Sequence, residues 1–309
     1  MTNLRVAVIG VGHLGRHHAR ILGSLEGATL VGVVDAKADR AREIAEACGT
    51  VAVDRASDLL GQVDAVSVAV PTESHLAVAM PFLERGVPVL VEKPLAREVA
   101  EADRMIEAAA KAGIVLAVGH TERYNPAVSA AAQHLANPRF IEVHRLGTFP
   151  ERSLDIDVVF DLMIHDLDLV LSLVPSEVAA IEAVGVPVLT GRVDIANARL
   201  RFENGCIANI TASRISRDRV RKIRFFQQDA YLSIDYAAQE VEMYRLVRGE
   251  GRPSIEGGKI DVPREEPLKR ELSDFLGAVR ERRRPVVTGE DGRKALALAG
   301  RIVERMGQA

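Results

Sequence analysis

Lys93 stands between Glu92 and Pro94 at the end of an apolar run, Val87-Pro88-Val89-Leu90-Val91. Proline disfavours helical geometry in the residue before it, so Lys93 is held extended at a strand tip. A lysine placed there beside a second positive charge has its ammonium form disfavoured and can exchange a proton near neutral pH. A second polar cluster, Val70-Pro71-Thr72-Glu73-Ser74-His75, ends another apolar run. Further along, Asp161, His165, Asp168 and Ser172 recur at a helical spacing that puts them on one face, beside a stripe of Met163, Leu167, Val170, Leu171 and Val174. Asp161 one turn before His165 suits orienting an imidazole and favouring its protonated form. Two other readings of this stretch are a solvated helix face and a divalent-metal site. No third ligand stands at metal spacing, so no metal is expected.

The groups that could bring a substrate to Lys93 lie near the N-terminus. Gly10-Val11-Gly12-His13-Leu14-Gly15 follows the run Leu4–Ile9 and opens a helical pattern. In that context Gly10 permits a tight turn, Gly12 allows a pyrophosphate to approach the backbone, and Gly15 lets helix pack closely on strand. The helix N-terminus then faces the phosphates. Asp35 ends the next apolar run, where its carboxylate can accept from the adenosine ribose hydroxyls and repel a 2′-phosphate. NAD is therefore expected over NADP, with Lys37 the one nearby cation that could tolerate the extra phosphate. The expected cofactor contacts are Gly10, Gly12, His13, Leu14, Gly15, Asp35, Val70, Thr72, His75, Glu92 and Lys93.

Elements must hold these groups in place. From Leu4 to Gly119 short apolar runs alternate with helical patterns, the grammar of a doubly wound parallel sheet with helices on both faces. After His120 the runs Phe140–Leu146, Val178–Val188, Asp194–Phe202, Ile207–Ser213 and Ile223–Tyr236 follow one another with few helices between, which predicts a largely antiparallel sheet. Asn204-Gly205 marks a hairpin between two of them. Val247–Pro267 reads as a loop, and helices are expected from Leu268 and Gly289. The fold class is thus α/β: an N-terminal Rossmann domain over 1–119, and over 120–309 an α+β domain with an open sheet for substrate binding and oligomerisation. The C-terminal helix could pack back on the first domain.

Composition narrows the class. Hydrophobic residues make up 48% of 309 and charged residues 27%, with a net charge of −3. That balance gives no general attraction to nucleic acid, although Arg214–Arg224 is locally basic and reads as a solvated strand face or subunit contact. No run is long and apolar enough for a membrane span, and Met1–Arg5 leads into the first strand without a leader-like segment, so a cytoplasmic protein is expected. Cys48 and Cys206 lack partner histidines at ligand spacing and read as structural thiols.

Taken together, the Gly-rich turn, Glu92-Lys93-Pro94, Asp161-x-x-x-His165 and the ending Thr288-Gly289-Glu290-Asp291-Gly292-Arg293-Lys294-Ala295-Leu296 resemble the glucose-fructose oxidoreductase and inositol dehydrogenase (Gfo/Idh/MocA) family along the whole chain. The resemblance implies oxidation or reduction of sugars, cyclitols or related polyols with a nicotinamide cofactor. It also implies that Lys93, Asp161 and His165 are the catalytic set and that Thr72 and His75 approach the nicotinamide end. Asp155–Phe160 and Met163 stand where the family usually has glycines, which reshapes the substrate pocket. The segments Gly119–Pro126 and Asp157–Asp166 are similar to a narrower branch whose members oxidise C3 of a UDP-linked N-acetylhexosamine. On that reading Arg123, Tyr124, Asn125 and Arg152 join Lys93, Asp161 and His165 as substrate contacts, and either Lys93 or His165 takes the hydroxyl proton. Separately, an antiparallel sheet with one uncovered face invites a homodimer or homotetramer. The alternatives are a dehydrogenase of a free sugar, inositol or other polyol, and a non-catalytic NAD-binding sensor.

Overall fold

The structure is a computed structural model that describes residues 3–149, 156–249 and 252–307. It divides into two compact units: residues up to Thr121 with Glu266–Arg293, and Glu122–Glu265 with Lys294 onward. In the first unit β1 (Leu4–Ile9), β2 (Ala28–Val34), β3 (Ala65–Val68), β4 (Val89–Glu92) and β5 (Leu116–Gly119) alternate with α1 (Gly15–Ser24), α2 (Ala38–Cys48), α3 (His75–Glu84) and α4 (Val99–Ala112). The strands are all parallel in the order β2-β1-β3-β4-β5. Every residue of β3, β4 and β5 is buried, which is why these runs are apolar throughout instead of alternating. The chain leaves β1 for β2 on one side and then crosses to β3 on the other. The carboxyl ends of β1 and β3 therefore bracket the switch point where open α/β sheets bind ligands.

The second unit contains α5 (Pro126–Ala132), β6 (Pro138–Leu146), α6 (Ile164–Leu173), β7 (Val178–Val186), β8 (Ile195–Phe202), β9 (Ile207–Ser213), β10 (Val220–Gln227), β11 (Ala230–Asp235), β12 (Glu240–Val247) and β13 (Ser254–Ile260). The first unit then gains α7 (Pro267–Glu281), and the last helix is α8 (Gly289–Met306). The eight strands run in the order β13-β12-β11-β10-β6-β9-β8-β7, antiparallel except for the β6–β9 pair. Ile141, Val143, Ala198, Ile210 and Phe225 from the sheet pack with Ile164, Leu167 and Val170 of α6 in one buried core.

Four features differ from the sequence expectation. The segment read as a loop contains β13, an edge strand with Ile255 76% exposed and two glycines at its centre, so neither face is buried and no apolar alternation forms. The single run Ile223–Tyr236 is a hairpin of β10 and β11 that turns at Asp229, with φ 59°. At the β8–β9 turn only Gly205 adopts positive φ, and Asn204 instead accepts the Cys206 amide on its side chain at 3.0 Å. The Asp161 helix also has a different form: a π-helical turn over Val159–Met163 leads into α6. Six of the ten α6 residues are buried, Asp166 and Asp168 among them, so the helix is enclosed and has no broad solvated face.

The π turn is held from below by one carboxylate. Asp194 accepts the amides of Val188, Leu189 and Thr190 at 2.7–2.9 Å and the Arg214 guanidinium at 2.8 Å. Arg214 in turn donates to the Ile156 carbonyl, and the Val193 amide donates to Asp157, so the chain is anchored just before Asp161 is reached. Burial alone would raise the Asp194 pKa; the donors from Leu189, Thr190 and Arg214 outweigh it and hold the group well below the ordinary carboxylate range. Its contribution to stability is therefore complete above the unfolded value of ~3.9 and is lost as pH falls through the lower folded value. Replacing Asp194 with Ala strands the buried Arg214 charge and should lower unfolding free energy by about 3–5 kcal/mol at neutral pH, a loss that urea titration would report and that should shrink in acid.

Candidate active site

The Gly-rich turn is built by contacts that a side chain would prevent. Gly10 has φ +85°, and a Cβ at Gly15 would lie 1.7 Å from the Gly10 carbonyl oxygen. A Cβ at Gly12, by contrast, would meet nothing within 4 Å, so the turn leaves an open cradle over the start of α1. His13 and Leu14 stand exposed on its rim. Asp35 closes the turn from the end of β2, accepting the Val11 amide at 2.9 Å on one oxygen and the Lys37 amide at 2.9 Å on the other. Arg40 donates to the Val11 carbonyl at 3.0 Å, a second support that sequence spacing did not single out. An open cradle of amides with an acid beside it fits the pyrophosphate and ribose of a dinucleotide.

At the next strand ends Val70 and Thr72 are half-buried, and Thr72 begins a short 3₁₀ turn, Thr72–Ser74. His75 opens α3 and is 1% exposed. Its ring nitrogens lie 3.0 Å from the Val70 carbonyl and 3.0 Å from that of Pro94, between the end of β3 and the turn carrying Lys93; a neutral ring donates to one of these carbonyls and a charged ring to both. Burial pushes its pKa down, against those carbonyls. Lys93 itself is half-buried at the end of β4, and its main-chain amide donates to the Glu92 carboxylate at 3.1 Å. Glu92 is paired with His18 of α1 at 2.9 Å, and the other ring nitrogen of His18 meets the Ser67 hydroxyl at 2.8 Å. Neither His18 nor Ser67 lies in a motif, and only their position under the turn reveals them.

The second unit gathers the remaining residues around α6. Arg145 of β6 grips Asp166 with two hydrogen bonds, 2.7 and 2.9 Å, reaches Glu122 at 3.2 Å and lies 5.4 Å from the Tyr236 ring centre. This bidentate clamp sets the rotation of α6, and with it the half-buried His165 one residue before Asp166. Arg123 stands 3.5 Å from Asp168 on the same helix. Tyr124 and Asn125 are buried; Asn125 caps α5 by accepting the Ala127 amide at 3.1 Å and donates to the Tyr236 carbonyl at 3.1 Å. Asp161 is half-buried in the π turn, and Arg152 lies outside the described residues.

A glycine cradle at a sheet switch point with a lysine at the neighbouring strand end defines a dinucleotide-dependent oxidoreductase. Residues 4–120 match the oxidoreductase family with an NAD-binding Rossmann fold, and residues 128–232 match the GFO/IDH/MocA C-terminal domain. The chain belongs to the Gfo/Idh/MocA family. It is 41% identical over 302 residues, 97% of this chain and 96% of the relative, to the UDP-N-acetylglucosamine 3-dehydrogenase of Acidithiobacillus ferrooxidans. The solved structure of that enzyme superposes with a TM-score of 0.93 at 39% identity, covering 100% of this chain and 99% of the other. The myo-inositol 2-dehydrogenase of Thermotoga maritima is 27% identical, over 96% of this chain and 94% of the relative.

The two glycines of the turn should separate binding from folding. Gly12→Ala meets no protein atom and should leave thermal stability within about 1 kcal/mol while weakening NADH binding at least about tenfold, because its methyl occupies the cradle. Gly15→Ala should lower the melting temperature as well, since its methyl strikes the Gly10 carbonyl; calorimetry with and without NADH measures both.

Proposed function

We propose that the protein is an NAD-dependent dehydrogenase that oxidises the C3 hydroxyl of a UDP-linked N-acetylhexosamine to a ketone. The observation that carries this reading is similarity to a UDP-N-acetylglucosamine 3-dehydrogenase along nearly the whole chain, second unit included. The dinucleotide is assigned to Gly10, Gly12, His13, Leu14 and Gly15 at the pyrophosphate, Asp35 at the adenosine ribose, and Val70, Thr72, His75, Glu92 and Lys93 towards the nicotinamide. When bound, NAD takes the hydride that leaves the carbinol carbon. The chain's own task is to remove the hydroxyl proton in the same step and to hold the sugar so that both transfers are aligned.

Lys93, Asp161 and His165 form the proposed catalytic set. Lys93 has its backbone fixed by Glu92 and accepts the hydroxyl proton or passes it on. His165 is the second base, oriented by Asp161 from the preceding π turn. Arg123, Tyr124, Asn125 and Arg152 complete the substrate side, with Arg suited to a bidentate hold on phosphate. Asp35 supports NAD over NADP, because a 2′-phosphate would meet a carboxylate already fixed by two amides. Oligomerisation is assigned to the sheet face that carries Phe140, Phe226, Tyr231 and Tyr244, whose rings follow one another at 5.1–6.4 Å.

Purified protein with NAD and UDP-N-acetylglucosamine should reduce the cofactor, followed by its absorbance. Turnover of inositol or free sugars in place of every nucleotide sugar would remove the substrate assignment and leave the dehydrogenase. Lys93→Met should cut kcat by about 10²–10⁴-fold while changing NADH affinity far less. Full activity in that variant would exclude Lys93 as the base, and His165→Asn would then be the variant to lose it.

A further inference from the structure

Beneath the Gly-rich turn three ionisable side chains from three elements meet inside the first unit. His18 of α1, Glu92 of β4 and Glu271 of α7 are 0%, 6% and 0% exposed, and their polar atoms lie within 4.8 Å of one another. His18 uses both ring nitrogens, one on Glu92 and one on Ser67. Glu92 divides its carboxylate between His18 and the Lys93 amide. Gly119 makes room for it, since a Cβ there would sit 2.9 Å from the Glu92 carboxyl carbon. Glu271 faces Glu92 and the Thr121 hydroxyl, but neither of its oxygens makes a hydrogen bond of standard geometry among the described residues.

We propose that His18 and Glu271 are positioning residues for Lys93, forming with Glu92 a closed cluster in which Glu271 is held as the neutral acid. Two carboxylates this close in a dry interior repel one another, so the one with fewer donors is the one that takes a proton. Glu92 is the member that keeps the charge. It has the imidazole and an amide as donors, and these hold its pKa low against burial, with Lys93 adding to the effect and His75 facing it from α3. For Glu271 burial pushes the pKa well up, and Glu92 and Asp274 push it further, against the Thr121 hydroxyl. The consequence falls on Lys93. The route to it is Glu92: a second negative charge beside that carboxylate would raise its affinity for a proton and loosen its hold on the Lys93 amide, so a neutral Glu271 keeps Glu92 an acceptor of that amide.

A cation shared by the same three side chains is the competing account. It conflicts with the ring of His18, whose two nitrogens are already engaged, one with Glu92 at 2.9 Å and the other with the Ser67 hydroxyl at 2.8 Å.

The proposal rests on Lys93 acting as the base, so its test begins with a readout that needs no turnover. Infrared spectra of the full-length protein at neutral pH should show the carbonyl band of a protonated, water-excluded carboxylic acid. That band should vanish in Glu271→Gln, which keeps the shape of the neutral acid. Identical spectra for the two proteins overturn the neutral acid, and so does an equimolar bound metal ion that survives dialysis of the wild type and is lost with Glu271. His18→Gln should then lower kcat at least tenfold, change the NADH Kd less than threefold and move the midpoint of the kcat–pH profile. A superimposable profile, or equal losses in kcat and affinity, would make His18 a packing residue and overturn the positioning role. If His18→Gln does not fold, Ser67→Ala gives the same reading one contact further out. Wild type that shows the band but no turnover of nucleotide sugars leaves the cluster standing and removes the substrate assignment.

Discussion

The His18–Glu92 contact is the constraint on which the first unit's chemistry depends. One imidazole joins α1, the helix that opens at the dinucleotide turn, to β3 through Ser67 and to β4 through Glu92. The same carboxylate holds the amide of Lys93. The helix that starts at the Gly-rich turn and the strand whose tip bears the lysine are thus fixed to each other by polar contacts in a water-excluded interior, where such bonds are strong and leaving one unmade is costly. His75 repeats the device from α3, spanning the ends of β3 and β4 with its two ring nitrogens. Two residues expected from sequence as cofactor contacts, Glu92 and His75, thus also hold backbone in place.

The second unit solves a similar problem with ion pairs. Arg145 with Asp166 and Arg214 with Asp194 are buried, bidentate or multiply bonded, and each joins a strand to the segment that leads into or forms α6. Buried pairs of this kind add little net stability over apolar packing, but removing one partner leaves an uncompensated charge, so they act as strict registers for the elements that they join. α6 needs such a register because its apolar contacts surround it: Ile164, Leu167, Leu169 and Val170 are all fully buried, and apolar packing alone would tolerate a rotated helix.

How much of this the sequence disclosed follows from the range of each interaction. The turn Gly10–Gly15, the strand order grammar and Asp35 were legible because their geometry is set within a few residues, where glycine spacing and apolar runs speak directly. The place of Lys93 at a strand tip was legible through its neighbours Glu92 and Pro94. β13 was hidden because a strand with neither face buried writes no period into its residues. The π turn before α6 was hidden because one extra residue in a helical turn leaves spacing nearly unchanged. His18, Ser67 and Glu271 were hidden for a third reason: each is an ordinary residue in an ordinary helix or strand, and only the fold brings positions so far apart in the chain together. Glu271 in particular lies in the pattern Lys269-Arg270-Glu271-Leu272, which reads as one more charge on a surface helix, yet it is wholly buried.

Asp35 shows how one carboxylate can serve fold and ligand together. Both of its oxygens already accept amides, from Val11 and Lys37, so the acid is a strut of the turn before any ribose arrives. Each carboxylate oxygen retains a second lone pair, which leaves capacity for a ribose hydroxyl without breaking the strut. A group that offers only acceptors and carries charge of the same sign can use neither lone pair and would have to displace the side chain. Displacement would release Val11, whose carbonyl Arg40 also holds, and with it the wall of the pyrophosphate cradle. Moving the Asp35 side chain aside therefore costs the geometry of the turn itself, which makes this carboxylate a fixed wall for whatever binds there.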